Sequence, residues 1–335
     1  MLDIEEFRIN LQGIIESEKK RFKDSTNAEK VLEYDNKWRE VLQKLQDLRR
    51  KRNQISEQIG ELRKKGENRK AEEAIKSSKE IKAEIDELDK KSIELFDQRE
   101  KYRYVVGNIL HLSVPRGETE EDNEFVRVVG EKPQFKYKPL SHVDLISLID
   151  GANTKKASEI AGSRFYYLKG DIVHLNLALL KFALDKITSK GYIPMWTPFF
   201  TKHEIMKAAA ELGDFEEQLY KIEGEDLYMI ATSEQTLAAY HYNEIIDPEM
   251  LPLKYAGISS CFRREAGSHG KDTLGIFRVH RFEKVEQFIF CKPEESWDYH
   301  EELLTNSEGI FKELGLPYRI VNIASGELND NAAKK

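Results

Sequence analysis

From Val31 onward, apolar and amphipathic side chains recur in alternating steps of three and four: Tyr34, Trp38, Val41, Leu45, Leu48, Arg52, Ile55, Ile59 and Leu62. A second series runs through Ala71, Ala74, Ser78, Ile81, Ile85, Leu88, Ser92, Leu95, Arg99, Tyr102 and Val106. A heptad repeat sustained for that long specifies a coiled-coil seam. The stretch from Lys64 to Arg69 separates the two series, and its Gly66 can end a helix. Two seams of similar length joined by a short turn predict an antiparallel helical hairpin over about 28–104. Each helix would be about 55 Å long at the helical rise per residue. Ahead of the hairpin, Leu2, Ile4, Phe7, Ile14 and Ile15 are mixed with charge, which predicts short helices that dock on another surface.

The periodicity is lost over 107–140, where Pro115, Gly117 and an acidic run from Glu118 to Glu124 mark a connector. The expected organisation is an N-terminal domain over 1–110, a connector over 111–135 and a second domain over 136–335. In that second part helical and strand signals alternate as in an α+β domain. Ser163–Gly170 reads as a strand, and Asp171 as the cap of an amphipathic helix that runs past Ile187 to Lys190-Gly191. Tyr192 to Phe200 is extended, and Pro194 and Pro198 confine it to a sheet edge. Thr232 and Gln235 form a capping box that opens a helix to Tyr242.

Residues 261–288 read as a hairpin with a long tip containing Gly267, Gly270 and Gly275. Side chains at i and i+2 share a strand face. Arg263 and Glu265 therefore point one way on the first strand, and Arg278, Phe282 and Glu286 on the second. The opposite face carries Phe277, Val279, Val285 and Ile289, which suit a core. Two arginines, two carboxylates and a phenylalanine in one row fit either a solvated strand pair with cross-strand ion pairs or a ligand face. In the second case guanidinium meets phosphate and the ring meets a purine.

Composition narrows these choices. Charged residues are 34% of the chain against 40% hydrophobic, which requires a large, elongated and solvated part. The net charge is −7, so no global basic field draws a polyanion and any nucleic-acid contact must be local. The hairpin, however, holds 21 Lys and Arg against 18 Asp and Glu, a balance of +3. Its cations cluster as Arg49, Arg50, Lys51 and Arg52 midway and as Arg63, Lys64, Lys65, Arg69 and Lys70 at the tip. Such clusters fit phosphate contacts that position a nucleic acid without reading it, although a spacer or dimerisation arm would also carry charge on its outer faces. Cys261 and Cys291 are too few for a disulfide framework or a cysteine zinc site and suit a reducing compartment. The acidic N-terminus lacks an apolar signal core and no run is apolar enough to span a bilayer, so a cytoplasmic protein is expected.

Phe-Arg-Arg-Glu-Ala-Gly-Ser from Phe262, followed by Phe-Arg-Val-His-Arg-Phe-Glu-Lys-Val-Glu-Gln-Phe from Phe277, resembles motif 2 of the class II aminoacyl-tRNA synthetases. More narrowly it resembles the seryl-tRNA synthetases of the cytosolic eukaryotic type. The helical hairpin resembles the arm with which that family grips the variable arm of serine tRNA, and Gly107 to Pro115 resembles its arm-to-body junction. The resemblance implies an α+β protein in which an antiparallel two-helix coiled-coil arm precedes a class II antiparallel sheet domain with flanking helices. It implies a serine–tRNA ligase that uses ATP and Mg²⁺, takes L-serine and tRNA(Ser), forms a homodimer, and engages neither membrane nor DNA.

By the same resemblance Arg263 would be catalytic, holding the ATP α-phosphate and the seryl carboxylate. Glu265 would accept from the adenine amino group, Phe282 would stack on adenine, and Arg278 would approach the γ-phosphate. Glu286 would meet the serine ammonium, with Thr232 enclosing the pocket in addition to its capping role. His269 and Lys271 at the loop tip would meet the tRNA acceptor end, and Arg49, Arg50, Arg52, Arg63, Lys64, Lys65 and Arg69 its body. The extended run around Pro198 resembles motif 1, which forms the dimer interface. No metal ligand is expected within the chain. Family members continue beyond Lys335 into further sheet strands, a metal-binding carboxylate, the hydroxyl-recognising residues and the motif 3 arginine. The expectation is therefore an incomplete catalytic domain with an open sheet edge. The competing expectation is a non-catalytic relative or fragment that binds RNA or a partner through the arm.

Overall fold

The computed structural model describes residues 2–209, 216–266 and 274–335. His269 and Lys271 lie outside the described residues. The chain forms two compact units, Met1–Arg127 with Ile320–Lys335, and Val128–Arg319. The last sixteen residues thus fold with the N-terminal unit, whereas the sequence grouped 136–335 together.

In the first unit α1 (Ile4–Ile9) and α2 (Leu11–Lys20) precede α3 (Thr26–Lys64) and α4 (Asn68–Tyr104). The last two form the predicted hairpin, and Gly66 takes a left-handed φ of 75° in its turn. Phe7, Ile14 and Ile15 of the short helices bury against Ala28, Val31 and Val106, which closes the base of the arm. Further out, Val41, Leu45, Ile81 and Ile85 meet at seam positions. Beyond Leu45 the seam residues of α3 are only half-buried, because two helices alone cannot enclose both sides of a shared stripe.

One buried group at the arm base lies outside the predicted seam. Asp35 is 0% exposed and is held by Arg8 Nε at 2.8 Å and by Arg99 Nη1 at 3.0 Å. The Arg99 guanidinium also lies 4.6 Å from the ring centroids of both Trp38 and Phe96, which touch each other at 5.7 Å between centroids. Burial pushes the Asp35 carboxyl upward, but the hydrogen bonds from Arg8 and Arg99 outweigh it and hold its pKa below the usual value.

The second unit begins within β1 (Glu124–Val129), a strand in what the sequence predicts as connector. There follow α5 (His142–Leu148), β2 (Ala152–Asn153), α6 (Thr154–Ala161), β3 (Tyr167–Leu168), α7 (Asp171–Thr188), β4 (Ile193–Trp196), β5 (Phe200–Lys202) and α8 (His203–Ala209). Then come β6 (Leu227–Met229), α9 (Ser233–Ala238), β7 (Leu253–Phe262), β8 (Arg281–Phe290), α10 (Ser296–Glu313) and β9 (Tyr318–Asn322). The central sheet has the order β4-β7-β8. β7 and β8 are antiparallel over ten pairs, while β4, the predicted edge strand, runs parallel to β7. Ile187, Tyr192 and Ala256 form the core on one face of this sheet, with Ile289, Leu303 and Ile310 packed around them.

Several local expectations are corrected. The strand expected over 163–170 shrinks to Tyr167–Leu168. Asp171 is the first helical residue and Gly170 the cap, so Asp171 acts through its charge in the first turn. The helix opened by Thr232 stops at Ala238, well short of Tyr242. Phe277 is 70% exposed because β8 starts only at Arg281, so strand alternation does not reach back to it.

Replacing Asp35 by alanine leaves the buried Arg99 guanidinium without its carboxylate and is expected to cost about 3–5 kcal/mol, read by denaturant unfolding. Because the folded-state pKa is depressed, this contribution is complete above about pH 4 and is lost as pH falls through the folded value. The wild-type advantage should therefore shrink in acid. A loss below about 1 kcal/mol at pH 7 would contradict the assignment.

Candidate active site

Directly opposed residues of an antiparallel pair project to the same side. The β7–β8 register therefore sets Phe282, Lys284 and Glu286 beside Cys261, Ser259 and Gly257, respectively. Three large side chains stand next to three small ones, and Cys261 and Ser259 are buried beneath them. A Cβ at Gly257 would lie 2.7 Å from Leu237 Cδ1 and 3.0 Å from Ser233 Oγ, so the glycine is what lets α9 descend onto the sheet. That approach delivers Thr232, the N-cap of α9, to Glu286.

The Thr232 hydroxyl is saturated. It donates to Glu286 Oε2 at 2.8 Å and accepts from the Lys284 ammonium at 2.7 Å and from the Glu234 amide at 3.1 Å. One proton and two lone pairs are all that a hydroxyl offers. The capping role and the site-facing role thus coexist in one residue. Gln235 does not complete the expected capping box; its Oε1 accepts from the Ala231 amide at 2.9 Å. Lys284 also pairs with Glu286 Oε2. Two donors hold one carboxylate oxygen, and Oε1 carries no hydrogen bond among the described residues.

Arg263 and Glu265 lie just past the end of β7, and Arg278 lies ahead of β8, so strand parity alone does not place them. They are fixed by a set of clamps. The Arg263 amide donates to the His280 carbonyl at 2.9 Å, and the His280 ring Nδ1 donates back to the Arg263 carbonyl at 2.9 Å. Arg164 Nη1 donates to the Glu265 carbonyl at 2.7 Å, while the Arg164 carbonyl accepts from the His280 amide. Gln218 accepts from the Arg264 and Ala266 amides and donates to the Ala266 carbonyl. Arg164 and Glu265 both have left-handed φ, 63° and 50°. Such backbone costs about 1–3 kcal/mol per residue and persists where its surroundings over-determine it, typically at functional sites.

The result is a cavity of about 540 Å³ lined by Arg263, Glu265, Arg278, Phe282, Tyr166 and Asn176 among others. The Arg263 guanidinium sits 5.1 Å from the Phe282 ring centroid. Arg278 Nη1 lies 3.6 Å from Glu265 Oε2. Two guanidinium groups, the Phe282 ring and the Glu265 carboxylate converge here, together with Glu283, which is paired with Arg281, and Glu286 follows about 13 Å further along β8. Burial raises the pKa of the Tyr166 phenol and of both thiols, Cys261 and Cys291, so all three stay protonated near neutrality.

The structure thus gathers Arg263, Glu265, Arg278 and Phe282 in one cavity and joins Thr232 to Glu286. Val279 is buried, but it lines the same cavity as Arg278 and Phe277 and not an opposite face, because the alternation of β8 begins only at Arg281. Pro198 is exposed between β4 and β5. On the arm, Arg49 pairs with Asp89 across the hairpin at 2.8 Å, and Arg50 and Arg69 lie 3.9 and 3.6 Å from Asp47 and Glu73. Arg63, Lys64 and Lys65 are exposed and, like the half-buried Arg52, have no carboxylate partner among the described residues. Sequence reasoning missed Lys284, although the same parity that marks Phe282 and Glu286 includes it. It also missed Arg164, Gln218 and His280. The first two reach the site from far away along the chain and carry no local signal.

Two family models match: the seryl-tRNA synthetase N-terminal domain over residues 1–110, and the tRNA synthetase class II core domain (G, H, P, S and T) over 217–335. The serine–tRNA ligase of Methanosphaera stadtmanae is 58% identical over the whole chain, which spans 78% of that relative. The structure of seryl-tRNA synthetase from Pyrococcus horikoshii, complexed with ATP, superposes with a TM-score of 0.91 at 42% identity, covering all of this chain and 79% of that one. The cytoplasmic serine–tRNA ligase of Naegleria fowleri, in complex with AMP, gives 0.86 at 39% identity, covering 100% and 80%. The relative described as cytoplasmic, from Naegleria fowleri, matches at lower identity than the proteins of Methanosphaera stadtmanae and Pyrococcus horikoshii. With arm, sheet and polar face all accounted for, the chain belongs to the seryl-tRNA synthetases, within the class II aminoacyl-tRNA synthetases.

Proposed function

We propose that this chain activates L-serine with ATP and transfers the seryl group to tRNA(Ser). The observation that carries the proposal is the division of one strand face into two parts. Arg263, Glu265, Arg278 and Phe282 form a cavity suited to a purine nucleotide, and Glu286 beyond it is held by Thr232 and Lys284 through a single oxygen. Adenine stacks on Phe282 and donates its amino group to Glu265; Arg263 holds the α-phosphate and Arg278 the outer phosphates. The serine ammonium meets the free Oε1 of Glu286. A serine carboxylate oxygen then attacks the α-phosphorus, pyrophosphate departs, and Arg263 neutralises the charge that builds on the phosphoryl oxygens. A terminal ribose hydroxyl of the tRNA next attacks the acyl carbon, and AMP leaves.

Mg²⁺ accompanies ATP as the counter-ion of its phosphates, as such ions commonly do. Among the described residues no group of three His, Cys, Asp or Glu side chains is gathered to hold a metal. Arg49, Arg50, Arg52, Arg63, Lys64, Lys65 and Arg69 contact tRNA phosphates along the arm, and His269 and Lys271 meet the acceptor end. A second copy packs around Pro198, a proposal supported by the exposure of Trp196 at 76% and Ile193 at 56%. The protein works in the cytoplasm; no described helix is long and apolar enough to cross a membrane.

Serine-dependent exchange of pyrophosphate into ATP tests this directly. The wild-type chain should catalyse it, and Arg263→Ala should lower it by at least about 100-fold, the scale of losing one transition-state donor, while retaining tRNA binding through the arm. Wild-type tRNA binding with no exchange would favour a binding-only protein. Lys284→Met releases Glu286 Oε2 from one of its two donors and should raise KM for serine about 10-fold or more, at the scale of a lost charge-assisted bond. KM for ATP should be unchanged and Lys284→Arg should recover part of the loss. Equal changes in both KM values would contradict the division of the face.

A further inference from the structure

A second cleft adjoins the stem that carries Arg263 and Glu265. It has a volume of about 360 Å³ and is lined by Leu219, Tyr220, Lys221, Tyr228 and Arg264. Successive residues of an extended segment project to opposite sides. Arg263 accordingly lines the nucleotide cavity, and Arg264, its neighbour, lines this cleft instead. None of the described residues that line it is acidic. Arg264 is exposed, and its guanidinium has no hydrogen-bond or carboxylate partner among the described residues. Lys221 Nζ lies 5.5 Å from the Tyr228 ring centroid, and the same ring lies 5.7 Å between centroids from His203. The Tyr220 ring is set edge-on to His280 at 6.1 Å, and burial keeps its phenol protonated as a donor. Two cations and a phenol, with no carboxylate among the described lining residues, make a site for a phosphate that carries further groups.

Its position selects among phosphates. The Arg264 amide is fixed to the Gln218 carbonyl at 2.9 Å, and Arg264 directly follows Arg263, whose side chain lines the nucleotide cavity. We infer that this cleft binds a phosphodiester of the single-stranded 3′ end of an RNA, with Arg264 on the phosphate and Lys221 and Tyr220 beside it. This inference rests on the proposed function, in which an RNA 3′ hydroxyl must reach the cavity of Arg263. A strand threading into that cavity then lays a preceding phosphate over the adjacent residue. A free nucleotide offers the same chemistry and is distinguished by the test.

Binding of serine tRNA to the full chain is titrated between about 50 and 200 mM salt, a range over which phosphate contacts are well resolved. Arg264→Gln should flatten the slope of log K against log salt by about 0.7, the release expected from one single-strand phosphate contact, and weaken binding, while Arg264→Lys keeps the slope. The same tRNA without its single-stranded 3′ end should bind wild type and Arg264→Gln equally, whereas a misfolded variant would lose both RNAs. Unchanged slope and affinity for the intact tRNA in Arg264→Gln would overturn the inference. So would AMP binding, measured in an Arg263→Ala background, that depends on Arg264 when tRNA binding does not, since the cleft would then take free nucleotides. Serine-dependent exchange by the wild type reports separately on the proposed function, so failure of that reading and failure of this one are told apart.

Discussion

The ten-pair ladder between β7 and β8 is the constraint from which the rest of the site follows. Its register decides which residues of the two strands share a side, and a slip of one residue would turn every one of them over. As paired, Phe282, Lys284 and Glu286 stand over Cys261, Ser259 and Gly257, so large polar and aromatic groups project from a floor of small side chains. Gly257 then admits α9 to within van der Waals contact of the sheet. Only because of that approach does the Thr232 hydroxyl reach Glu286 and become saturated by three partners.

Beyond the ladder, the geometry is enforced by polar clamps. Arg263 and Glu265 follow the last paired residue of β7 and would be free to splay. Reciprocal hydrogen bonds with His280, the guanidinium of Arg164 and the side-chain amide of Gln218 prevent this, and they hold Glu265 and Arg164 in left-handed backbone. Gly275, whose Cβ would come within 2.4 Å of His142 Nε2, lets the returning limb of the loop settle against α5. The stem is thus pre-organised, which is what a site that works by positioning and electrostatics requires.

Much of this was legible in the sequence because it is periodic. The heptad seam gives the arm, and Pro194 and Pro198 give an edge strand, since a sheet interior would leave ladder partners of the missing N–H groups unsatisfied. The parity of β8 gives Phe282 and Glu286, and Lys284 follows from the same rule. Elsewhere periodicity fails. Asp35 is buried beside the seam because Arg8 and Arg99 compensate its charge, a tertiary arrangement with no local signature. Arg164 and Gln218 serve the site across long sequence separations. Phe277 and Arg278 were assigned to a strand face by extending the alternation beyond the end of β8, where the chain no longer alternates. Arg278 nevertheless lies close to Glu265, in a contact made by the loop.

The central claim is that the Phe282 face of the ladder receives the purine of ATP. Calorimetric titration of ATP into the wild-type chain and the Phe282→Ala variant addresses it most directly. Base–aromatic stacking is worth about 1–3 kcal/mol, so the variant should bind ATP about 10-fold more weakly or worse, with an unchanged fold. Equal affinities would show that the nucleotide does not rest on this face.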